Sequence, residues 1–106
     1  MSYSVVIAES AERDISEISD VVAFAYCDPI GAQRLADRIL TAIESLSEMP
    51  ERFPASRNPL LAAMNCRQFT VGNFNIIYSI DKAAQAVHVV AVAYYRRLTD
   101  FAAERI

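Results

Sequence analysis

A chain of 106 residues, 54% of them hydrophobic and 22% charged, is long enough for one compact core and too short for two, so a single domain over residues 1–106 is expected. Only two glycines and no low-complexity run exclude a disordered or fibrous protein. A formal charge of −3 gives no general attraction to nucleic acid, and direct nucleic-acid binding by the chain as a whole is not expected.

Residues 3–8 alternate, with Tyr3, Val5 and Ile7 on one face, the pattern of a half-buried strand. Ser10 is placed to cap a helix over residues 10–26, whose apolar positions Ala11, Ile15, Ile18, Val22 and Ala25 recur at steps of three and four. Glu12 and Asp14 fall near the positive end of its dipole. Asp28-Pro29 interrupts that helix and starts a second over residues 29–47, with Asp28 as its cap. Its buried stripe is Ala32, Leu35, Ala36, Ile39, Ile43 and Leu46; Gln33, Arg34, Asp37, Arg38 and Glu44 face water, and Pro50 halts it. The two helices are expected to form an antiparallel hairpin.

Residues 50–63 contain three prolines and no usable period, which predicts a long loop. Period two then returns: Arg67, Phe69 and Val71 alternate with Cys66, Gln68 and Thr70, and Gly72-Asn73 turns the chain into Phe74, Ile76, Tyr78 and Ile80. That is a β-hairpin over residues 66–80. Residues 87–95 are apolar on both faces around Val89 to Ala93, as in a central strand covered on both sides. The tail, residues 96–106, opens with two arginines and either closes with a helical turn or frays. Strand-helix-helix-strand-strand-strand is an α+β order, in which a helical hairpin packs on a largely antiparallel sheet.

Few residues offer chemistry. Cys27 and Cys66 form no C-x-x-C pair and lack zinc spacing, so both are expected as small packing residues in a reducing compartment. His88, the one histidine, falls inside a strand, where an edge or partly buried polar role is favoured over a general base. No nucleophilic triad, phosphate loop or metal cluster can be assembled, so no catalytic residue, metal or cofactor is expected. With no membrane-length apolar run and no basic-then-apolar start, a cytoplasmic protein without membrane attachment is expected.

The phrase Arg67-x-Phe69-x-Val71-Gly72-Asn73-Phe74-x-Ile76-x-Tyr78, followed by a hydrophobic strand that ends in Arg96-Arg97, resembles the RelE/ParE toxins. These are the poison halves of type II toxin-antitoxin pairs, also known as plasmid stabilisation proteins. Ala11 and the ending from Leu46 to Pro50 add support, and the resemblance runs from Tyr3 through Arg97. It implies the RelE/ParE-like fold and a cognate antitoxin as partner.

Members of the RelE type cut messenger RNA on the ribosome with lysines on the first hairpin strand, an arginine after the turn's aromatic, an arginine closing the last strand, and a tail tyrosine or histidine. Those positions fall here on Gln68 and Thr70, on Asn75, on Tyr95 or Arg96, and near Phe101. The cations are largely missing. The chain is more similar to the ParE branch, whose members poison DNA gyrase by binding it, so a non-enzymatic toxin is the expectation. A ribosome-dependent endoribonuclease with a rearranged site, or an attenuated member that only binds its antitoxin, are the alternatives. Candidate target-binding residues are Arg67, Asn75, Tyr94, Tyr95, Arg96 and Arg97, since aromatics and arginine supply contact area and bidentate bonds. Arg34 and Arg38, with the loop over residues 50–59, are candidate antitoxin contacts.

Overall fold

The computed structural model describes residues 2–97 and 99–106. Strand β1 (Ser4–Ile7) leads directly into helix α1 (Glu9–Asp20). Ser10 lies inside this helix and does not cap it; the cap position is Ala8, which makes no side-chain bond. Backbone pairing fixes the start instead: Ala8 N donates to Val89 O at 3.0 Å while Ala8 O accepts from Glu12 N at 3.0 Å. Glu9 and Glu12 occupy the first turn, where the helix dipole favours carboxylates. Asp14 departs from that role and turns inward, only 7% exposed.

α1 passes into a π turn at Val21–Ala25, with Tyr26 N bonded to Val21 O at 3.3 Å and Asp28 N to Val22 O at 3.2 Å around Cys27, whose φ is 53°. A π turn takes up an additional residue, so the apolar phase set by Ala11 and Ile15 slips. Val22 is therefore only half-buried and Ala25 exposed, against the expected stripe. Helix α2 (Pro29–Glu44) then starts at Asp28, whose Oδ1 accepts from Gly31 N at 2.9 Å. A Cβ on Gly31 would come within 2.1 Å of Asp28 Oδ2, so a larger residue there would make the capping carboxylate shift. A 3-10 turn, Ser45–Ser47, completes the expected span; Ala32, Ile39, Ile43 and Leu46 are buried, with Leu35 and Ala36 partly so.

Residues 50–63 are not wholly irregular. They hold a 3-10 turn, Pro50–Arg52, and a short helix α3 (Pro59–Ala63), which Asn58 caps by accepting from Leu60 N at 2.9 Å. Five residues make barely more than one turn, too few to show a period.

Strands β2 (Cys66–Val71), β3 (Phe74–Asp81) and β4 (Ala86–Tyr94) complete a sheet of order β1-β4-β3-β2. β2-β3 and β3-β4 are antiparallel; β1 lies parallel to β4, with Ser4 to Ile7 opposite Ala86 to Val89. Gly72 holds a φ of 57° in the hairpin turn, the left-handed region that glycine enters freely. β4 is internal, and Val87 and Val89 to Ala93 are buried, as their apolar run implied.

One core lies under the helices, where Ile15, Ile39, Ile43 and Leu46 meet Ile76, Tyr78, Val87 and Val89. A second covers the opposite face, where Leu61, Cys66, Ile77, Val90, Ala91 and Ala102 are closed over by α3 and a 3-10 segment, Asp100–Arg105. The tail thus docks. Burial pushes the Cys66 thiol up from its ordinary pKa, whereas Cys27 is exposed at the hairpin turn and is not a packing residue.

β1 is shorter than β4, so beyond Val89 the outer edge of β4 has no strand beside it. Side chains fill the gap: Asp14 Oδ2 accepts from Val92 N at 3.0 Å, and Arg105 Nη1 donates to Val90 O at 3.1 Å. Arg105 and Asp14 also form a two-pronged pair at 2.7 and 3.1 Å. Among the described residues no helix is long and apolar enough to cross a membrane.

Candidate functional site

A cleft of about 740 Å³ opens between the segment 53–59, the outer face of β2, the start of β3 and the residues that follow β4. Its near wall is sewn to the sheet by backbone bonds: Ser56 N donates to Cys66 O at 2.9 Å and Gln68 N to Pro54 O at 3.3 Å. Arg67 reinforces the seam by donating to the carbonyls of Glu51 and Phe53. Phe53 stacks on Phe69 with ring centroids 4.2 Å apart. Arg67 is thereby half-buried and committed to the wall, outside the cleft lining.

Gln68, Thr70 and Asn75 line the cleft together, because Thr70 and Asn75 pair across the hairpin and Gln68 precedes Thr70 on the same face of β2. Asn75 is 8% exposed. Gln68 Oε1 accepts from Ser56 Oγ at 2.6 Å, so the floor is polar and internally bonded. At one end Asn58 Nδ2 donates to Thr99 Oγ1 at 3.0 Å and Asp100 Oδ1 at 2.6 Å, tying the start of α3 to the tail. The cations in the lining are Arg57 and Arg97, with Asp100 as a carboxylate beside them.

Arg97 rests over the Phe101 ring at 4.0 Å, and Arg105 approaches the same ring at 4.7 Å. Arg96 turns back on its neighbour, with Nε 2.7 Å from the Tyr95 hydroxyl and the guanidinium 5.3 Å from its ring. Tyr94 and Tyr95 are each 45% exposed, and Tyr94 meets Tyr95 at 5.0 Å and Phe74 at 6.0 Å in edge-on contacts. The strand end is therefore an ordered aromatic-arginine surface, with neither tyrosine in the core.

Among the sequence-derived candidates, Asn75, Tyr95 and Arg97 meet at the cleft, and Tyr94 and Arg96 flank it. Arg34 and Arg38 lie apart, exposed on α2; Arg38 reaches toward the hairpin turn, 3.7 Å from where a Gly72 Cβ would stand. His88 is exposed on β4, away from the cleft. Among the described residues no group of three histidine, cysteine or carboxylate side chains could hold a metal. Sequence reasoning missed Arg57, Asn58, Thr99 and Asp100; only Asn58-Pro59, a cap followed by proline, carried a local signal.

Comparison with solved structures shows where such a fold recurs. The chain of a chromosomal ParDE system from P. aeruginosa is similar at a TM-score of 0.71 and 14% identity, over 87% of this chain and 95% of that one. A chain of the RelBE2 toxin-antitoxin complex of Mycobacterium tuberculosis matches at 0.67 and 19% identity, over 89% and 92%. An arginine double mutant of E. coli RelE in the free state matches at 0.64 and 13%, over 99% and 94%. These likenesses bear out the RelE/ParE-like α+β fold. No curated protein matches at the level of sequence. The family described as the ParE toxin of type II toxin-antitoxin systems, parDE, matches residues 5–99. This chain belongs to that ParE toxin family.

Proposed function

We propose that this toxin acts by binding DNA gyrase, without chemistry of its own, and that a cognate antitoxin neutralises it. The observation that carries the reading is the cleft floor, lined together by Gln68, Thr70 and Asn75, the positions to which the resemblance assigns the cations of the ribonuclease branch. Cleaving RNA requires several positive groups acting together on one phosphate, plus groups that move protons. Arg97 and Arg57 stand at the cleft, but no histidine does, and the tail position holds Phe101, which has no hydroxyl. The antitoxin partner is supported by the similar structures, among them the RelBE2 toxin-antitoxin complex. Binding needs a surface, which the exposed Tyr94, Tyr95, Arg96 and Arg97 supply.

Purified toxin is expected to inhibit gyrase supercoiling and to leave messenger RNA intact on translating ribosomes. Arg96→Ala with Arg97→Ala should weaken the inhibition without unfolding the domain, because exposed charges contribute little to stability. One observation favours the ribonuclease as a second reading: two arginines face a cleft with a polar floor. Codon-specific cleavage, abolished by that double substitution, would establish that reading and refute the first.

A further inference from the structure

The end of the helical hairpin carries apolar side chains that the domain leaves in water. Phe24 is 77% exposed, Tyr26 73%, Ile30 67% and Val21 52%. Val21 and Phe24 lie in the π turn, Tyr26 follows it and Ile30 lies in the first turn of α2, so the four meet where the two helices join. Scattered exposed apolar residues are ordinary, but four within ten positions, two of them aromatic, make a patch of the kind that marks an interaction site.

The patch is joined to the strand end. A groove between α1 and the edge of β4 that no strand covers is lined by Ile18 and Val21 on one side and by Val92 and Tyr94 on the other. Glu17 and Arg97 also line it. Area argues that the two belong together: a specific interface takes roughly 20–30 residues a side, far more than a strand end alone presents. Aromatic anchors are what such an interface requires at its centre.

We infer that the hairpin tip is a second anchor for the toxin's protein target, continuous through this groove with Tyr94 and Arg97; the inference rests on the gyrase-binding reading. Charge specifies the partner. The tip is bordered by Glu17, Asp20 and Asp28, and no lysine or arginine occurs between residues 14 and 33, whereas the strand end is cationic at Arg96 and Arg97. A complementary target surface has an apolar socket edged by lysine or arginine facing the tip, and carboxylates facing the strand end. Like charges disfavour a tip-to-tip contact between two copies of this chain, because both tips carry the same carboxylates.

The test uses full-length toxin in a gyrase supercoiling assay. Phe24→Ser with Ile30→Ser is expected to raise the concentration for half-inhibition by about tenfold or more, as loss of buried anchors does. Glu17→Lys with Asp20→Lys should raise it several-fold at low salt and less at high salt. Leu60→Ser, at a 49% exposed position on α3, serves as the control and should change nothing. Thermal midpoints should stay within a few degrees for all variants, since the changed side chains are exposed. Inhibition by Phe24→Ser/Ile30→Ser at the wild-type concentration would overturn the second anchor and leave the gyrase reading standing. A wild-type protein that leaves gyrase untouched would overturn both.

Discussion

Replacing Asp14 by alanine removes the acceptor that serves both Val92 N and Arg105. The Asp14 side chain is 8% accessible and that of Arg105 24%, so the carboxylate is buried and its partner partly wet. Breaking a buried pair from one side costs about 3–5 kcal/mol, and water reaching Arg105 lowers the expectation to about 2–4 kcal/mol. Asp14→Asn keeps an acceptor for Val92 N but loses the charge, so it should cost about half as much. Arg105→Ala frees the carboxylate from its cation and leaves Val90 O without that donor. Because the two groups act as a unit, the double variant Asp14→Ala/Arg105→Ala should be less destabilised than the sum of the single variants, with a coupling of about 1–3 kcal/mol. Urea unfolding followed by circular dichroism reads these values, and with a slope of about 1–2 kcal/mol per molar the Asp14→Ala midpoint should fall by about 1–4 M. Amide exchange at Val92 should accelerate in the same variant. Additive single substitutions, or an unchanged Val92 amide, would refute the claim that this pair stands in for a missing strand.

Cys27→Gly should stabilise the protein by about 1 kcal/mol, because the exposed cysteine is held at a φ of 53° that glycine adopts without strain; a raised thermal midpoint checks it. A thiol reagent should label Cys27 at once and Cys66 only on unfolding, since Cys66 is inaccessible and burial disfavours its thiolate; equal rates would contradict the burial. Burial also raises the Tyr78 hydroxyl, against the lowering influence of Arg67 and Arg52. For both groups the folded state holds the proton more tightly, so their contribution is intact below the ordinary values of 9.0 and 10.0 and is lost as pH rises beyond them. Unfolding free energies measured across alkaline pH should therefore fall above about 9, and Tyr78→Phe should flatten the upper part of that fall. Arg67→Ala should loosen the cleft wall, seen as faster proteolysis within residues 50–59, because the carbonyls of Glu51 and Phe53 lose a donor.

The periodic parts of this fold were legible in the sequence. Alternation around Phe69 and Tyr78, the glycine turn between them and the apolar run of β4 each express a local rule, and the structure follows them. Asp28 declared the start of α2 because the cap and the proline are adjacent in sequence. What escaped has no local cause. Asp14 looked like a dipole-facing carboxylate and proved to be a backbone acceptor, because its partners are 78 and 91 positions away in the chain. The π turn was hidden because Val22 and Ala25 continue the pattern that it breaks. The cleft was half visible: Asn75 and Arg97 could be named from the resemblance, whereas Arg57, Asn58 and Asp100 enter it only through the fold of segment 53–59 and the docking of the tail.

The sheet's order sets a timetable for synthesis. β1 is made first yet lies beside β4, with Val5 opposite Val87, so the opening strand waits through both helices and the whole β2-β3 hairpin before its neighbour exists. Contacts this distant in sequence close late. The α1-α2 pair cannot bury its stripe until β3 and β4 supply the opposing layer, and the Tyr94-to-Arg97 surface does not exist before then. That surface, which we propose as the target-binding face, is consequently among the last parts of the fold to form.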